Sequence, residues 1–290
     1  MSGASVLRGV PGRALPLVVF LSTARWRVGI SVESQAGQAG GPVAASVVGG
    51  LRPYWSLSLY PGAAEGGGCW TVPGGRAEAS GRQGHAERAA EEAARRARTK
   101  VRRYGVANRL NRLGTLTYAG EGCHDPIQLR SDVAGFFKGL RPALAGEAFP
   151  YMWVPEWHAS GHGLHVHFAV GRYVPQTVIR DAWGRGFVHI KLLGDLPVGS
   201  GNLAEARLAA SYLSKYIGKS LDDERRASGL HRYEVAQGFQ PDKISCYGLT
   251  EDQVIREASE HMGREPAKIW RSSPADGWHG PPACWVAWND

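Results

Sequence analysis

Cysteine is scarce in this chain, and no apolar run is long. The 290 residues include four cysteines, none of them close to another in sequence: Cys69, Cys123, Cys246 and Cys284. Such spacing excludes a zinc ribbon and a dense disulfide framework. The apolar run at residues 15–22 is too short to span a bilayer, and Arg25 and Arg27 follow it without a clear cleavage site. We therefore expect a cytoplasmic protein with reduced thiols and no membrane partner.

Acidic residues are outnumbered by basic ones. The chain has 34 Lys and Arg against 26 Asp and Glu, which gives a formal net charge of +8 and a pI near 9.5. Clustered cations gain affinity for phosphates because they displace counterions, so this balance favours a polyanionic partner. The length is sufficient for one main domain with a well-buried core.

The composition changes along the chain and predicts three parts. Residues 1–84 are rich in Gly and Ala, and we expect a loosely ordered N-terminal extension with a few short strands. Residues 85–240 carry regular patterning and form the predicted main domain. Residues 241–290 form a C-terminal extension in which residues 251–262 predict an amphipathic helix, and residues 272–290, rich in Gly, Pro and Trp, predict irregular structure.

The main domain reads as alternating helices and strands. Residues 85–113 predict a long basic helix, in which nine Lys or Arg between Arg88 and Arg112 accompany two acids. The later elements are strands at 114–120, 151–158, 165–170 and 187–193 and helices at 128–144, 175–184 and 203–218. Because a short turn joins the two middle strands, we predict an α+β fold with a central antiparallel sheet and helices packed on one face.

The stretch HASGHGLHVHFAV at 158–170 places imidazoles in a strand. His165 and His167 are two residues apart and project from the same face. Such a pair can be two partly buried, hydrogen-bonded histidines, or it can bind a metal if a third ligand is available. Glu156 and His158 lie on the neighbouring strand, across the turn that contains His162, and either could complete a site with open positions for a substrate oxygen.

A tyrosine pair follows in AASYLSKYIGKS at 209–220. Tyr212 and Tyr216 are four residues apart and share one face of a helix, with Lys215 beside that face. The pair can simply border the core of an amphipathic helix. A phenol becomes a nucleophile only when a metal or a cation lowers the cost of forming its anion, and Lys215 could supply that charge.

Together, HVH at 165–167 and YLSKY at 212–216 resemble the motifs of the HUH endonuclease superfamily, specifically the two-tyrosine rolling-circle replication initiators of plasmids, phages and integrative elements. GTLTYAG at 114–120 is similar to the first motif of that family, and HRYEVAQGF at 231–239 resembles initiators of actinobacterial elements. Motif order separates the chain from relaxases. The resemblance spans residues 110–235 and implies the RRM-like, ferredoxin-like core of the family.

The resemblance implies a mechanism. Mg²⁺ or Mn²⁺ bound by His165, His167 and either Glu156, ranked first, or His158 would polarise a phosphate of single-stranded origin DNA. Tyr212 or Tyr216 would attack, with Tyr212 expected to make the first cut. The products would be a 5′-phosphotyrosine and a free 3′-OH, and a second transfer would rejoin the strand. No GxxxxGK[ST] motif is present, so a host helicase and polymerase are the expected partners.

The basic helix is a candidate DNA-binding surface, although a solvated helix face has the same composition. The predicted DNA contacts are Arg95, Arg96, Arg98, Lys100, Arg102, Arg103 and, near the tyrosines, Lys219. Two alternatives to an initiator remain open: a single-tyrosine HUH transposase, and a non-catalytic DNA-binding protein with a structural metal site.

Overall fold

A computed structural model describes residues 52–74, 82–191, 202–219, 231–274, 278 and 280–289. The strands are β1 Tyr54–Tyr60, β2 Glu65–Thr71, β3 Arg112–Tyr118, β4 Tyr151–Trp157, β5 Leu164–Val170, β6 Gly186–Lys191, β7 Glu234–Val235, β8 Ile244–Gly248, β9 Lys268–Arg271 and β10 Ala283–Ala287. The helices are α1 Arg82–Ala107, α2 Pro126–Leu140, α3 Gln176–Trp183, α4 Asn202–Lys219 and α5 Glu251–Met262. Short 3₁₀ helices cover Pro61–Ala63 and Arg141–Leu144.

The first sheet is antiparallel and carries the histidine strand at its centre. Its strand order is β6-β3-β5-β4-β7. The α+β fold with an antiparallel sheet and packed helices is confirmed. Helices cover both faces, however, so the prediction of helices on one face is wrong. Phe136 of α2 and Trp183 of α3 pack with Phe168 on one side, while Tyr104 of α1 and Leu213 of α4 pack on the other.

A second five-stranded sheet combines segments from either side of the first sheet in sequence. Its order is β8-β1-β2-β10-β9, with antiparallel pairing throughout. Helix α5, whose predicted range is confirmed, packs its buried Val254 and Ala258 with Leu57 and Val286 of the buried face. The prediction that residues 272–290 are irregular is wrong for β10, because its inward residues alternate with outward ones and complete this core.

Helix α1 contacts the second sheet through one buried carboxylate. Glu65 is 5% exposed and accepts hydrogen bonds from Arg102 at 3.0 Å and Arg103 at 2.8 Å. The helix ends at Ala107, earlier than the predicted residue 113. Arg109 takes a left-handed conformation with φ of 53°, which breaks the helix before β3 begins.

Other element boundaries differ from the predictions by a few residues. The third predicted helix continues beyond Leu140 only as a 3₁₀ helix, as expected near Pro142. The last two residues of the predicted strand at 187–193 lie outside the described residues, as does most of the predicted loosely ordered extension. The three domain boundaries stay predictions. Among the described helices, none combines the length and apolar character that crossing a membrane requires.

Candidate metal and nucleophile site

Three side chains of β4 and β5 converge on one point of the first sheet. Glu156 pairs with His165 in the antiparallel register, and His167 follows two residues later on the same face. Glu156 Oε2 lies 3.0 Å from His165 Nε2 and 2.8 Å from His167 Nε2, and the two Nε2 atoms are 3.0 Å apart. These three residues form a group that could hold a metal ion. We call them the triad.

The spacing within the triad matches the donors of one hard divalent ion. Two ligands at right angles on an octahedral ion, each about 2.1 Å from it, lie about 3.0 Å apart. The three separations in the triad are 2.8 to 3.0 Å, so a single ion fits between the three atoms. Two imidazoles and one carboxylate occupy one side of such an ion and leave the other side for water or substrate.

Burial and an outer hydrogen bond fix the orientation of the histidines. His165 and His167 are 8% and 7% exposed. Thr115 of β3 stands opposite His167 in the sheet, and its Oγ1 lies 3.0 Å from His167 Nδ1. When Nδ1–H donates to this hydroxyl, the lone pair of Nε2 faces the triad, which is the state that metal binding requires.

The remaining two histidines of the stretch belong to the turn. His158 is exposed, and its Nδ1 lies 2.6 Å from Ser160 Oγ and accepts from Ser160 N at 3.2 Å. Its ring centroid is 5.3 Å from that of His165, and it lies outside the triad. The geometry therefore favours Glu156 as the third ligand. His162, expected as a loop residue, contacts the carbonyl of Tyr118 through Nε2 at 3.0 Å.

The tyrosines of α4 lie directly against the triad. The Tyr216 ring stacks on the His167 ring with centroids 3.7 Å apart and planes 19° apart. The Tyr216 hydroxyl donates to the Tyr212 oxygen at 2.5 Å. Burial raises the pKa of Tyr216, and the hydrogen bond to Tyr212 and the nearby Glu156 charge raise it further. Tyr216 therefore stays protonated and serves as a hydrogen-bond donor, while the Tyr212 oxygen is the acceptor.

The cation beside the tyrosines is not the one predicted. Lys215 is exposed, and no contact with either tyrosine is seen among the described residues. Lys191 of β6 lies with Nζ 4.6 Å from the centroid of the Tyr212 ring. The sequence contained a signal for it, since Phe187, His189 and Lys191 alternate in β6 and register on the same face as Thr115. The sequence alone does not connect that alternation with the tyrosine helix.

The predicted DNA-binding residues of α1 divide into two sets. Arg95, Arg98 and Lys100 are exposed, as is Arg96, which pairs with Glu92 at 2.6 Å. Arg102 and Arg103 instead bind Glu65, and their side chains are 37% and 19% exposed. These two are therefore part of the contact between α1 and the second sheet. Lys219 ends α4, and its side chain lies outside the described part of the chain.

Residues 111–221 match a family model whose description is a replication-associated protein of the ORF2 type. The matched stretch begins at the start of β3 and includes the triad and both tyrosines. No match was found among curated proteins or among solved structures. An α+β fold with a candidate divalent metal site, combined with this match, supports a rolling-circle replication initiator. The similarity also suggests endonuclease activity and implies that the protein binds DNA.

Proposed function

We propose that this protein nicks single-stranded DNA at a rolling-circle origin by metal-assisted attack of a tyrosine, and then rejoins the strand. The observation that carries the proposal is the contact between Tyr216 and His167, with centroids 3.7 Å apart. This contact joins a pair of phenols to a candidate metal triad. The match to a replication-associated family over the same residues supports the proposal independently. Initiators of plasmids, phages or integrative elements in actinobacteria are the proposed class.

The donor set of the triad suits Mg²⁺ or Mn²⁺, which when bound would polarise the scissile phosphate and stabilise its developing negative charge. The oxygen of Tyr212 attacks the phosphorus atom. The bond from phosphorus to the 3′ oxygen breaks, and this oxygen leaves as a 3′-OH after taking a proton. The 5′ phosphate stays on the tyrosine as an ester, so the energy of the broken bond is retained for rejoining.

Tyr212 is the proposed first nucleophile. Its oxygen already accepts a hydrogen bond from Tyr216, and Lys191 lies over its ring, so both neighbours favour the phenolate. Tyr216 has a raised pKa and serves first as a donor. It becomes the nucleophile of the second transfer, while Tyr212 holds the DNA. Lys215, exposed on the same helix, is proposed to contact the DNA phosphates.

The exposed cations of α1 are the proposed contacts for the DNA flanking the nick. Arg95, Arg98 and Lys100 would neutralise phosphates without reading bases, so this part of the affinity falls as salt rises. Lys219 at the end of α4 is proposed to act in the same way. A host helicase and polymerase are the proposed protein partners, because the proposed reaction only exposes a 3′-OH.

The proposal is tested by trapping the covalent intermediate. The protein is incubated with Mn²⁺ and overlapping single-stranded oligonucleotides that tile its own gene and flanks, and adducts are separated on a denaturing gel. Tyr212→Phe, Tyr216→Phe and the double variant run in parallel. We expect a metal-dependent adduct with one tile that the double variant cannot form.

Other outcomes would identify the alternatives. An adduct that depends on one tyrosine alone and requires a hairpin at an element end would indicate a transposase. If no tile gives an adduct, yet the protein binds DNA and retains its metal in the presence of chelators, the metal is structural and the proposed reaction is wrong.

A further inference from the structure

The second sheet has one face that α5 does not cover, and we call it the outer face. In the register of the sheet, one row across this face runs through Ser245, Ser58, Gly67, Trp285 and Trp270. The next row contains Tyr247, Ser56, Cys69 and Ala283. The opposite face carries Leu57, Leu59 and Val286 in the core. The outer face belongs to segments outside the family match of residues 111–221.

Aromatic side chains stand at both sides of the outer face, with small residues between them. Tyr247 is 63% exposed and contacts Tyr54 at a centroid distance of 5.9 Å. Trp270, on the opposite edge strand, is 43% exposed. The floor between them consists of serine, glycine and other small side chains. Four strand spacings separate the two edges, which corresponds to about 19 Å. A flat floor bounded by exposed rings suits a chain of stacked bases.

Cations border the same face. The Arg103 guanidinium lies 4.1 Å from the centroid of the Tyr60 ring, and that of Arg102 lies 5.7 Å from the Trp285 ring. Arg95 and Arg98 precede Arg102 by seven and four residues on α1 and are exposed on its side of the helix. Glu65, the one acid of the described strands on this face, is buried and paired with both nearby arginines. The outer face is therefore positively charged on balance.

Two hydrogen-bond donors at this border lack an acceptor among the described residues. They are Nε of Arg102 and the indole Nε1 of Trp285, two groups that lie side by side. Both are shielded from solvent, where an unmet donor is costly. Each could be satisfied by an oxygen of a bound anion, and a phosphate carries several.

We propose that the outer face binds single-stranded DNA, with bases stacked on Tyr247 and Trp270 and phosphates against the arginines of α1. A protein partner would require an apolar centre, but the centre of this face is serine and glycine. The choice of DNA over RNA rests on the proposed function, which supplies a displaced single strand. The outer face would hold that strand away from the triad while the tyrosine remains linked to the other end.

The test measures DNA binding without cleavage. The Tyr212→Phe/Tyr216→Phe protein is titrated into a fluorescein-labelled oligothymidine, and anisotropy reports the dissociation constant. Tyr247→Ala and Trp270→Ala are added singly to this background. Loss of one stacked base should weaken binding about 5- to 150-fold. Tyr247→Phe keeps a ring and should bind like the parent. Tyr173→Ala, which removes a 70% exposed tyrosine outside the second sheet, is the matched control.

The outcomes separate this inference from the proposed reaction. Adduct formation on a short oligonucleotide that covers only the nick site should be unchanged by Tyr247→Ala. If Tyr247→Ala and Trp270→Ala bind oligothymidine as tightly as Tyr173→Ala, the outer face is not a DNA-binding surface, even if adducts form normally. If they weaken binding although no tile gives an adduct, this inference stands and the nicking reaction fails. A tight complex with oligouridine alone would overturn the choice of DNA.

Discussion

Replacing Thr115 with valine should weaken metal binding without removing a ligand. The side chain keeps its number of heavy atoms and its β-branched shape, so the strand is retained. What is lost is the contact of 3.0 Å between Thr115 Oγ1 and His167 Nδ1. This contact is the one described bond that selects the Nδ1–H form of His167, because its other nitrogen faces Glu156 and His165.

The magnitude follows from the position of this hydroxyl one bond beyond the ligand. Removing an outer hydrogen bond of a metal-binding histidine costs about 10- to 100-fold in metal affinity. This corresponds to about 1.4 to 2.8 kcal/mol. Because His167 is 7% exposed, water is poorly placed to replace the lost hydroxyl, so the effect should not fall below this range.

The assay is a titration of the purified protein with Mn²⁺, followed by the electron paramagnetic resonance signal of the free ion. Thr117→Val is the matched control, because Thr117 lies two residues along the same face of β3 and makes no described side-chain hydrogen bond. Glu156→Ala sets the reference for loss of a ligand. Thermal unfolding of each variant checks the fold. Equal Mn²⁺ affinity in Thr115→Val and Thr117→Val would refute the proposed orientation of His167.

Three further predictions concern the tyrosines, the nearby lysines and the thiols. Tyr216→Phe keeps the ring on His167 but loses the hydroxyl donor to Tyr212, so the first nick in a quenched-gel time course should slow only about 2- to 12-fold, far less than in Tyr212→Phe. Lys191→Ala should slow the same step about 2- to 30-fold, whereas an effect confined to Lys215→Ala would return the role of the cation to that residue. Burial raises the pKa of two thiols to about 11, so iodoacetamide at pH 8, read by mass spectrometry, should modify half-buried Cys69 before them: Cys246 and Cys284. Since the folded state retains these protons, their contribution to stability is present below pH 9 and is lost toward pH 11, which denaturant titration at both values checks.

The elements of the first sheet could be predicted because their patterns are local. The alternation in β5 places two imidazoles on one face, and the short turn before it brings Glu156 opposite His165. Helix α5 is marked by a complete capping box, in which Thr250 and Gln253 bond each other's backbone, and by Gly263 at its end. Its predicted bounds are therefore confirmed. The contact between the tyrosines and His167 required the packing of α4 on the sheet, which no spacing specifies.

The second sheet could not be predicted because its strands pair over long sequence separations and β2 has an unusual composition. The sequence EGGGCWT of β2 has little intrinsic strand preference. Its glycines are explained only by the neighbours: a Cβ on Gly68 would lie 2.3 Å from the Ser56 carbonyl oxygen. Lys191 was missed for a related reason, since a lysine in an edge strand is ordinarily read as a solvated residue.

The distant pairing of β2 with β10 has a consequence for how the chain is made. A ribosome that adds about 5 to 20 residues per second takes about 10 to 40 s to pass from Thr71 to Ala283. During that interval every strand of the first sheet has emerged, whereas β2 has only β1 beside it. One edge of this nascent hairpin offers unpaired amides to any other extended chain. Translation therefore yields the candidate nuclease sheet before the platform beside it is finished, and a message cut short before codon 283 would leave that edge permanently open.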